Sequence, residues 1–233
     1  MLANNSKLKK QLIITAGGKG ERMNSEIPKQ FLIVAGKPIL MHTIERFHCF
    51  SPKLKIFLVL PKSHFDFWKS LCKKYNFTIS HNLVEGGETR FHSVKNGLES
   101  IKGECVVAIH DGVRPLVSTK TISDCFAQAE KKGNAIPVFN INESIRLLKD
   151  GKNFPVRRDN YRIIQTPQCF HSSLIKRAYS QDYKTEFTDD AGVVEALGTT
   201  VNLIGGNAEN IKITRTIDLK IAEVLLQEKP ATE

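Results

Sequence analysis

Short apolar runs separated by amphipathic stretches set the rhythm of the first half of this chain. Leu12-Ile13-Ile14 is an unbroken apolar run followed at once by glycines, and comparable runs recur at 56–60, 78–84 and 105–109. Runs of this length bounded by turn formers predict buried strands. Between them, apolar positions recur at helical spacing over 39–47, 63–75 and 89–99. This alternation predicts an α/β fold, a mostly parallel sheet with helices on both faces. Ligands of such sheets bind beyond the carboxyl ends of the strands, so the residues just past each run are where chemistry is sought.

The pattern continues with a helix over 119–131 and a strand over 135–138, then changes character. Residues 139–161 hold two short polar-alternating stretches around Asp150-Gly151, which predict a β-hairpin projecting from the core as an arm. Helices over 172–180 and 190–197, a strand over 200–204 and a helix over 219–227 complete the reading. The chain divides into a core, 1–138 and 162–233, and an arm, 139–161, within 233 residues and without internal repeats or low-complexity segments.

The first strand leads into Thr-Ala-Gly-Gly-Lys-Gly-Glu-Arg-Met, and Pro28-Lys29-Gln30 comes shortly after. Gly17, Gly18 and Gly20 let the backbone turn sharply and present its N–H groups to a polyphosphate, with Arg22 and Lys29 supplying charge. The loop lacks the Gly-Lys-Ser/Thr ending of a Walker A motif. It also lacks the glycine spacing of a dinucleotide fingerprint. The competing reading is a tight strand-to-helix turn with solvated basic residues.

Composition narrows the classes. With 41% hydrophobic residues the chain can bury a full core, yet no run approaches the length of a membrane span. The N-terminus has no apolar signal region, so a cytoplasmic protein is expected. Five scattered cysteines without a C-x-x-C pair suit reduced thiols rather than a disulfide framework or a zinc site. The net charge of +10 is compatible with nucleic acid, but the basic residues are dispersed and aromatic interleaving is absent. Small anionic substrates explain the charge more economically.

Further constellations lie past the later strands. Gly86-Gly87-Glu88-Thr89-Arg90-Phe91-His92-Ser93 succeeds a strand and opens a helix; it can read a flat nucleobase through backbone groups, or it is a glycine-initiated helix capped by Thr89. His110-Asp111-Gly112-Val113-Arg114-Pro115 ends an apolar strand in a carboxylate. Such a group beside a phosphate loop is where Mg²⁺ is expected, and the alternative is a local Asp–Arg ion pair. His110 itself reads as a packed strand-end histidine. Thr166-Pro167-Gln168 precedes a predicted helix. Thr188-Asp189-Asp190 reads as a helix start with Thr188 as cap. Lys212 sits in an alternating stretch, 210–214, read as a strand.

Taken in order, these segments resemble the 2-C-methyl-D-erythritol 4-phosphate cytidylyltransferase family from about residue 12 to 226. The resemblance implies a Rossmann-like nucleotidyltransferase fold, CTP and methylerythritol phosphate as substrates, Mg²⁺ as cofactor, and a homodimer clasped through the arm. It implies that Ala16, Gly17, Gly18 and Gly20 hold the triphosphate and ribose side of CTP. Gly87 and Ser93 would contact cytosine, with Asp111 and Gly112 near the ribose and the metal. Arg22 and Lys29 would stabilise charge at the α-phosphate. Arg158 and Lys212 would position the acceptor phosphate, with Arg114, Ser144, Thr166 and Thr188 nearby. Arg158 and Ser144 would serve the partner's site. Ser144 stands where Thr is more usual and Glu209, a second candidate metal contact, where Asp is frequent; both keep the chemical group. A CTP:ribitol-5-phosphate cytidylyltransferase shares most of these motifs and is the nearest alternative. A nucleic-acid-binding protein is the alternative of another class.

Overall fold

β1 (Lys9–Thr15) buries Leu12, Ile13 and Ile14 completely and is an interior strand of the sheet. The computed structural model describes residues 8–18 and 27–228. A 3-10 turn (Lys29–Phe31) leads into two short strands, β2 (Ile33–Val34) and β3 (Lys37–Pro38), which the apolar pattern is too short to announce. Pro38 opens α1 (Ile39–Phe50), whose Leu40, Met41, Ile44 and Phe47 recur at helical spacing and are fully buried. Each such side chain removed from water contributes about 1.5–3 kcal/mol. Next in order are β4 (Lys55–Leu60), α2 (Phe65–Lys74), β5 (Asn82–Glu85), α3 (Arg90–Glu99) and β6 (Cys105–Asp111).

The strand expected over 78–84 forms only from Asn82. The preceding residues turn onto α2 instead: the Trp68 indole N–H donates to His81 Nε2 at 2.9 Å, and the Phe77 ring lies 6.0 Å from the Trp68 ring. Aromatic packing wins over ladder pairing there.

Beyond α4 (Thr119–Lys132), capped by the Ser118 hydroxyl, runs β7 (Asn134–Asn140). The arm carries the hairpin β8 (Arg146–Lys149) and β9 (Lys152–Pro155), every residue of which is exposed. Asp150 and Gly151 both take positive φ, 51° and 71°, which suits the two-residue hairpin turn. β10 (Arg162–Ile164), β11 (Gln168–His171), α5 (Ser172–Ala178), α6 (Asp190–Glu195), β12 (Leu203–Gly205) and α7 (Thr216–Gln227) complete the chain.

β6, β1, β4 and β5 form a parallel run, and β12 lies parallel to β7. β11 runs antiparallel to both β6 and β7, and β10 antiparallel to β7. α1, α2 and α4 bury their apolar stripes on one face of the sheet; α3, α5 and α6 do so on the other. Two expectations change. Thr166-Pro167-Gln168 leads into a strand, not directly into a helix. The 210–214 segment forms no strand. Its alternation reflects the packing of Ile213 against Val113 and Leu116, with one cross-link from Ile213 N–H to the Val113 carbonyl at 3.0 Å.

The reversal at β11 brings two distant segments together at one end of the sheet. Because β11 opposes β6, its first residues lie beside the carboxyl end of β6, and the Asp111 N–H donates to the Thr166 hydroxyl at 3.2 Å.

Candidate functional site

Two cavities meet beyond the carboxyl ends of β1 and β6. The first encloses about 470 Å³ and is lined by Ala16, Gly17, Gly18, Lys29, Gly87 and Ser93, among others. The second encloses about 580 Å³ and is lined by Arg114, Thr166, Gln168, Thr188 and Asp189, among others. Arg90, Asp111 and Lys212 line both. The glycine loop with Lys29 on one side and the second cavity on the other thus share a carboxylate and two cations.

Local structure explains each placement. Gly17 and Gly18 are exposed at the mouth of the first cavity, immediately past β1. Lys29 lies in the 3-10 turn, anchored by the buried Phe31, which stacks on Trp68 with ring centres 6.1 Å apart. Thr89 caps α3 by accepting the His92 N–H, and the Ser93 hydroxyl oxygen accepts the Gly87 N–H at 3.1 Å. The segment is thus a helix start capped by Thr89, and it also borders the first cavity. Gly112 lines neither cavity but allows close packing there. A Cβ at this position would lie 2.9 Å from the Ala16 Cβ.

Asp111 is the electrostatic centre. Lys212 Nζ lies 2.9 Å from Oδ2, Arg114 Nε 3.4 Å from Oδ2 and Arg90 Nε 3.6 Å from Oδ1. Burial alone would raise its pKa, but Arg90, Lys212 and Arg114 outweigh burial and hold the carboxyl well below its usual range. The carboxylate is charged throughout the physiological range. Burial pushes the neighbouring His110 down to about 4, so this imidazole is neutral there. Arg90 is itself fixed from behind. It donates two hydrogen bonds to Asp190, at 2.9 and 2.7 Å, and the Tyr179 hydroxyl donates to the same carboxylate at 2.6 Å. Although burial opposes its charge, Asp190 and Asp111 raise the Arg90 pKa well above its ordinary value.

Other expected residues lie elsewhere. Gly20 and Arg22 fall outside the described residues. Ser144 and Arg158 are exposed on the arm and line neither cavity of their own chain; Arg158 donates to the Asn142 carbonyl. Glu209 is exposed, accepts from the Asn207 amide at 3.0 Å, and also lines neither cavity. α6 is capped by Asp189, not Thr188: Asp189 Oδ1 accepts the Gly192 N–H at 2.9 Å. Sequence reasoning leaves Arg90, Asp190 and Gln168 without a site role. The Gln168 amide donates to Asp189 at 2.8 Å and accepts the Ala191 N–H at 2.8 Å, fixing the Thr188 loop over the second cavity. An arginine directly after a glycine pair and a cap is the available signal for Arg90; its partner is 100 residues away.

A single carboxylate between two cavities is the kind of donor used by a hard cation that takes one or two carboxylates and completes its shell with substrate oxygens. Among the described residues no cluster of three His, Cys, Asp or Glu side chains forms a cage.

The chain as a whole matches a known family. The family model described as 2-C-methyl-D-erythritol 4-phosphate cytidylyltransferase matches residues 11–228. The chain belongs to this family. Among relatives, the cytidylyltransferase of Phocaeicola vulgatus is 52% identical over 219 residues, covering 94% of this chain and all of that one. That of Bacteroides fragilis is 53% identical over 214 residues, or 92% of this chain and 98% of the relative. Among solved structures, the 4-diphosphocytidyl-2C-methyl-D-erythritol synthase of Anaerococcus prevotii superposes with a TM-score of 0.80 at 28% identity, over 94% of this chain and 96% of that one. The bifunctional protein of Campylobacter jejuni superposes with a TM-score of 0.77 at 30% identity, over 91% of this chain and 54% of that one. A cytidylyltransferase is a nucleotidyltransferase, and the main sheet, in the order β10, β7, β11, β6, β1, β4, β5 with β12 also on β7, is its Rossmann-like fold.

Proposed function

We infer that this enzyme transfers the cytidylyl group of CTP to 2-C-methyl-D-erythritol 4-phosphate, giving the 4-diphosphocytidyl alcohol and pyrophosphate in isoprenoid precursor synthesis. The observation that carries this reading is the pair of adjoining cavities sharing Arg90, Asp111 and Lys212 in a family member matched over residues 11–228. A nucleic-acid reading of the charge gives no reason for two adjoining cavities with a shared carboxylate.

The chemistry is dictated by charge. The acceptor's phosphate oxygen is already anionic, so no general base is required. Its attack on the α-phosphorus forms one P–O bond as the bond to pyrophosphate breaks. The barrier lies in bringing two anions together, and the protein must screen, orient and stabilise the crowded phosphorus centre. Lys29 lines the nucleotide cavity and suits the α-phosphate; Lys212 and Arg114 border the second cavity and suit the acceptor phosphate. Mg²⁺ held by Asp111 would supply further charge neutralisation on the phosphates. Gly87 and Ser93 line the same cavity, which supports a role for them in reading the cytosine edge.

The site is completed in this proposal by a second copy of the chain in a homodimer. Leu147, Leu148 and Phe154 are exposed on a hairpin with no core of its own, and a two-stranded hairpin is marginal alone. Arg158 and Ser144 fall beyond the cavities of their own chain, which leaves them available to a partner's. We place the enzyme in the cytoplasm on the same grounds of pathway and substrate; no helix among the described residues is long and apolar enough to cross a membrane.

The deciding experiment is pyrophosphate release from CTP and Mg²⁺ with methylerythritol phosphate or ribitol 5-phosphate as acceptor. Strong preference for the former is expected. Preference for ribitol 5-phosphate, or release with neither, would overturn the assignment.

A further inference from the structure

His110 is the last residue before Asp111 on β6, and cytidylyl transfer as described makes no use of it. Its side chain is fully buried, with Phe47 packed edge-on at 4.8 Å between ring centres. Both ring nitrogens meet a group of the second cavity. Nε2 lies 3.0 Å from the Arg114 carbonyl oxygen, and Nδ1 lies 3.0 Å from the Thr166 hydroxyl.

In a neutral imidazole one ring nitrogen donates and the other accepts, and this fixes the direction of every bond. A carbonyl only accepts, so Nε2 carries the ring hydrogen. The Thr166 oxygen already accepts the Asp111 N–H at 3.2 Å. Its own hydrogen is directed to Nδ1, the acceptor lying 3.0 Å away. A continuous chain results: Asp111 N–H to Thr166 oxygen, Thr166 O–H to Nδ1, and Nε2–H to the Arg114 carbonyl. One imidazole thereby ties together the backbone of the shared carboxylate, the threonine that leads into β11 and the arginine that borders the acceptor cavity.

We propose that His110 is a positioning residue of the acceptor site, holding Asp111, Thr166 and Arg114 in one arrangement and fixing the polarity of the Thr166 hydroxyl. This rests on the cytidylyltransferase reading of the two cavities. Because the Thr166 hydrogen is consumed by His110, its oxygen faces the acceptor with a lone pair. It can accept a hydrogen bond from a polyol hydroxyl, whereas a phosphate oxygen there would meet only repulsion. The acceptor's phosphate is thus directed to the cations and its hydroxyl end toward Thr166. His110 touches no reacting atom.

The test is steady-state kinetics of His110→Phe, His110→Asn and His110→Gln, with both substrates varied and folding checked by circular dichroism. Phe fills the space but makes neither bond. It should raise the acceptor KM about tenfold while leaving the CTP KM within about twofold, as expected for losing bonds on one side of the site. The Asn amide oxygen can stand where Nδ1 stood and should restore the acceptor KM more than Gln, whose amide replaces Nε2. Thr166→Val, which keeps shape and removes the hydroxyl, should reproduce the acceptor effect if His110→Phe fails to fold. Independently, ¹⁵N spectra of the wild-type histidines should show a neutral buried ring protonated on Nε2. Equal changes in both KM values, no change in either, no difference between Asn and Gln, or a ring protonated on Nδ1 would each overturn the proposal. A wild type that releases no pyrophosphate with this acceptor would instead overturn the functional reading.

Discussion

Replacing Asp190 by Asn should destabilise the protein well beyond the loss of one hydrogen bond. Asp190 is fully buried and compensates Arg90 through two bonds of 2.9 and 2.7 Å. Asn keeps an acceptor for the Tyr179 hydroxyl but removes the charge, leaving the guanidinium beside the cations Arg114 and Lys212. Removing one partner of a buried pair costs about 3–5 kcal/mol. Asp111, 3.6 Å from Arg90 Nε, still offers partial compensation, so the lower end, about 3 kcal/mol, is expected. For a chain of this size each kcal/mol moves the melting midpoint by about 2–4 °C, giving a drop of about 6–12 °C. Thermal unfolding followed by circular dichroism measures it directly. The double replacement Arg90→Met with Asp190→Asn, which keeps an acceptor for the Tyr179 hydroxyl, should recover most of the lost stability, since the uncompensated cation is gone. It should not recover activity, because Arg90 lines both cavities. A midpoint for Asp190→Asn within about 2 °C of wild type, or a double variant less stable than the single one, would refute the view of Asp190 as the compensating charge for Arg90.

Lys29→Ala should remain folded and lose turnover by about a hundredfold or more, with a smaller change in the CTP KM, corresponding to about 3–4 kcal/mol of lost transition-state stabilisation. Lys212→Ala should raise the KM for methylerythritol phosphate and leave CTP binding by calorimetry near wild type; the reverse pattern would place Lys212 on the nucleotide side. Mixing inactive Lys29→Ala and Arg158→Ala subunits under exchange conditions should restore about a quarter of wild-type activity if a two-fold dimer shares its sites, and none if each site is built from one chain. Burial lowers the pKa of His42, His81 and His110 in the folded protein, so below about pH 6.5 the unfolded chain binds protons that the folded one does not. Stability is therefore complete above that pH and falls with acidification. His110, at about 4, accounts for roughly 2 kcal/mol between pH 7 and pH 5, measurable as a lower urea midpoint.

Local pattern is a good guide wherever a segment's own composition decides its state. The runs at 12–15, 56–60 and 105–109, the helix at 39–47 and the Asp150-Gly151 hairpin all arise from periodicity and turn chemistry. It fails where a distant partner decides. The stretch at 78–81 reads as strand but answers to Trp68, and 210–214 alternates without a ladder because Ile213 packs under Val113. Thr166-Pro167-Gln168 carries no local sign that it will enter the sheet antiparallel to β6. The site behaves likewise. Lys29, Asp111, Lys212 and the glycines are legible because charge at a strand end or beside a glycine loop is unusual. Asp190 is acidic at a helix start, which dipole arguments already explain, so nothing in its neighbourhood announces Arg90. His110 is legible as a packed histidine and its partners are not.

The contacts that close the two cavities span long stretches of chain. Arg90 meets Asp190 across 100 residues, the Arg114 guanidinium meets the Asn210 carbonyl across 96, and Asp111 meets Thr166 across 55. Each requires a large loop to close before it returns any stability. A chain emerging from the ribosome N-terminus first completes β1, β4 and β6, with Lys29 and Asp111 already present, well before it has a place to hold two anions together. The second cavity cannot form until Thr166, Asp190 and Lys212 arrive. Catalytic competence is thus tied to the end of synthesis, and a chain stopped between β6 and α6 would carry the glycine loop and the carboxylate but not the second cavity.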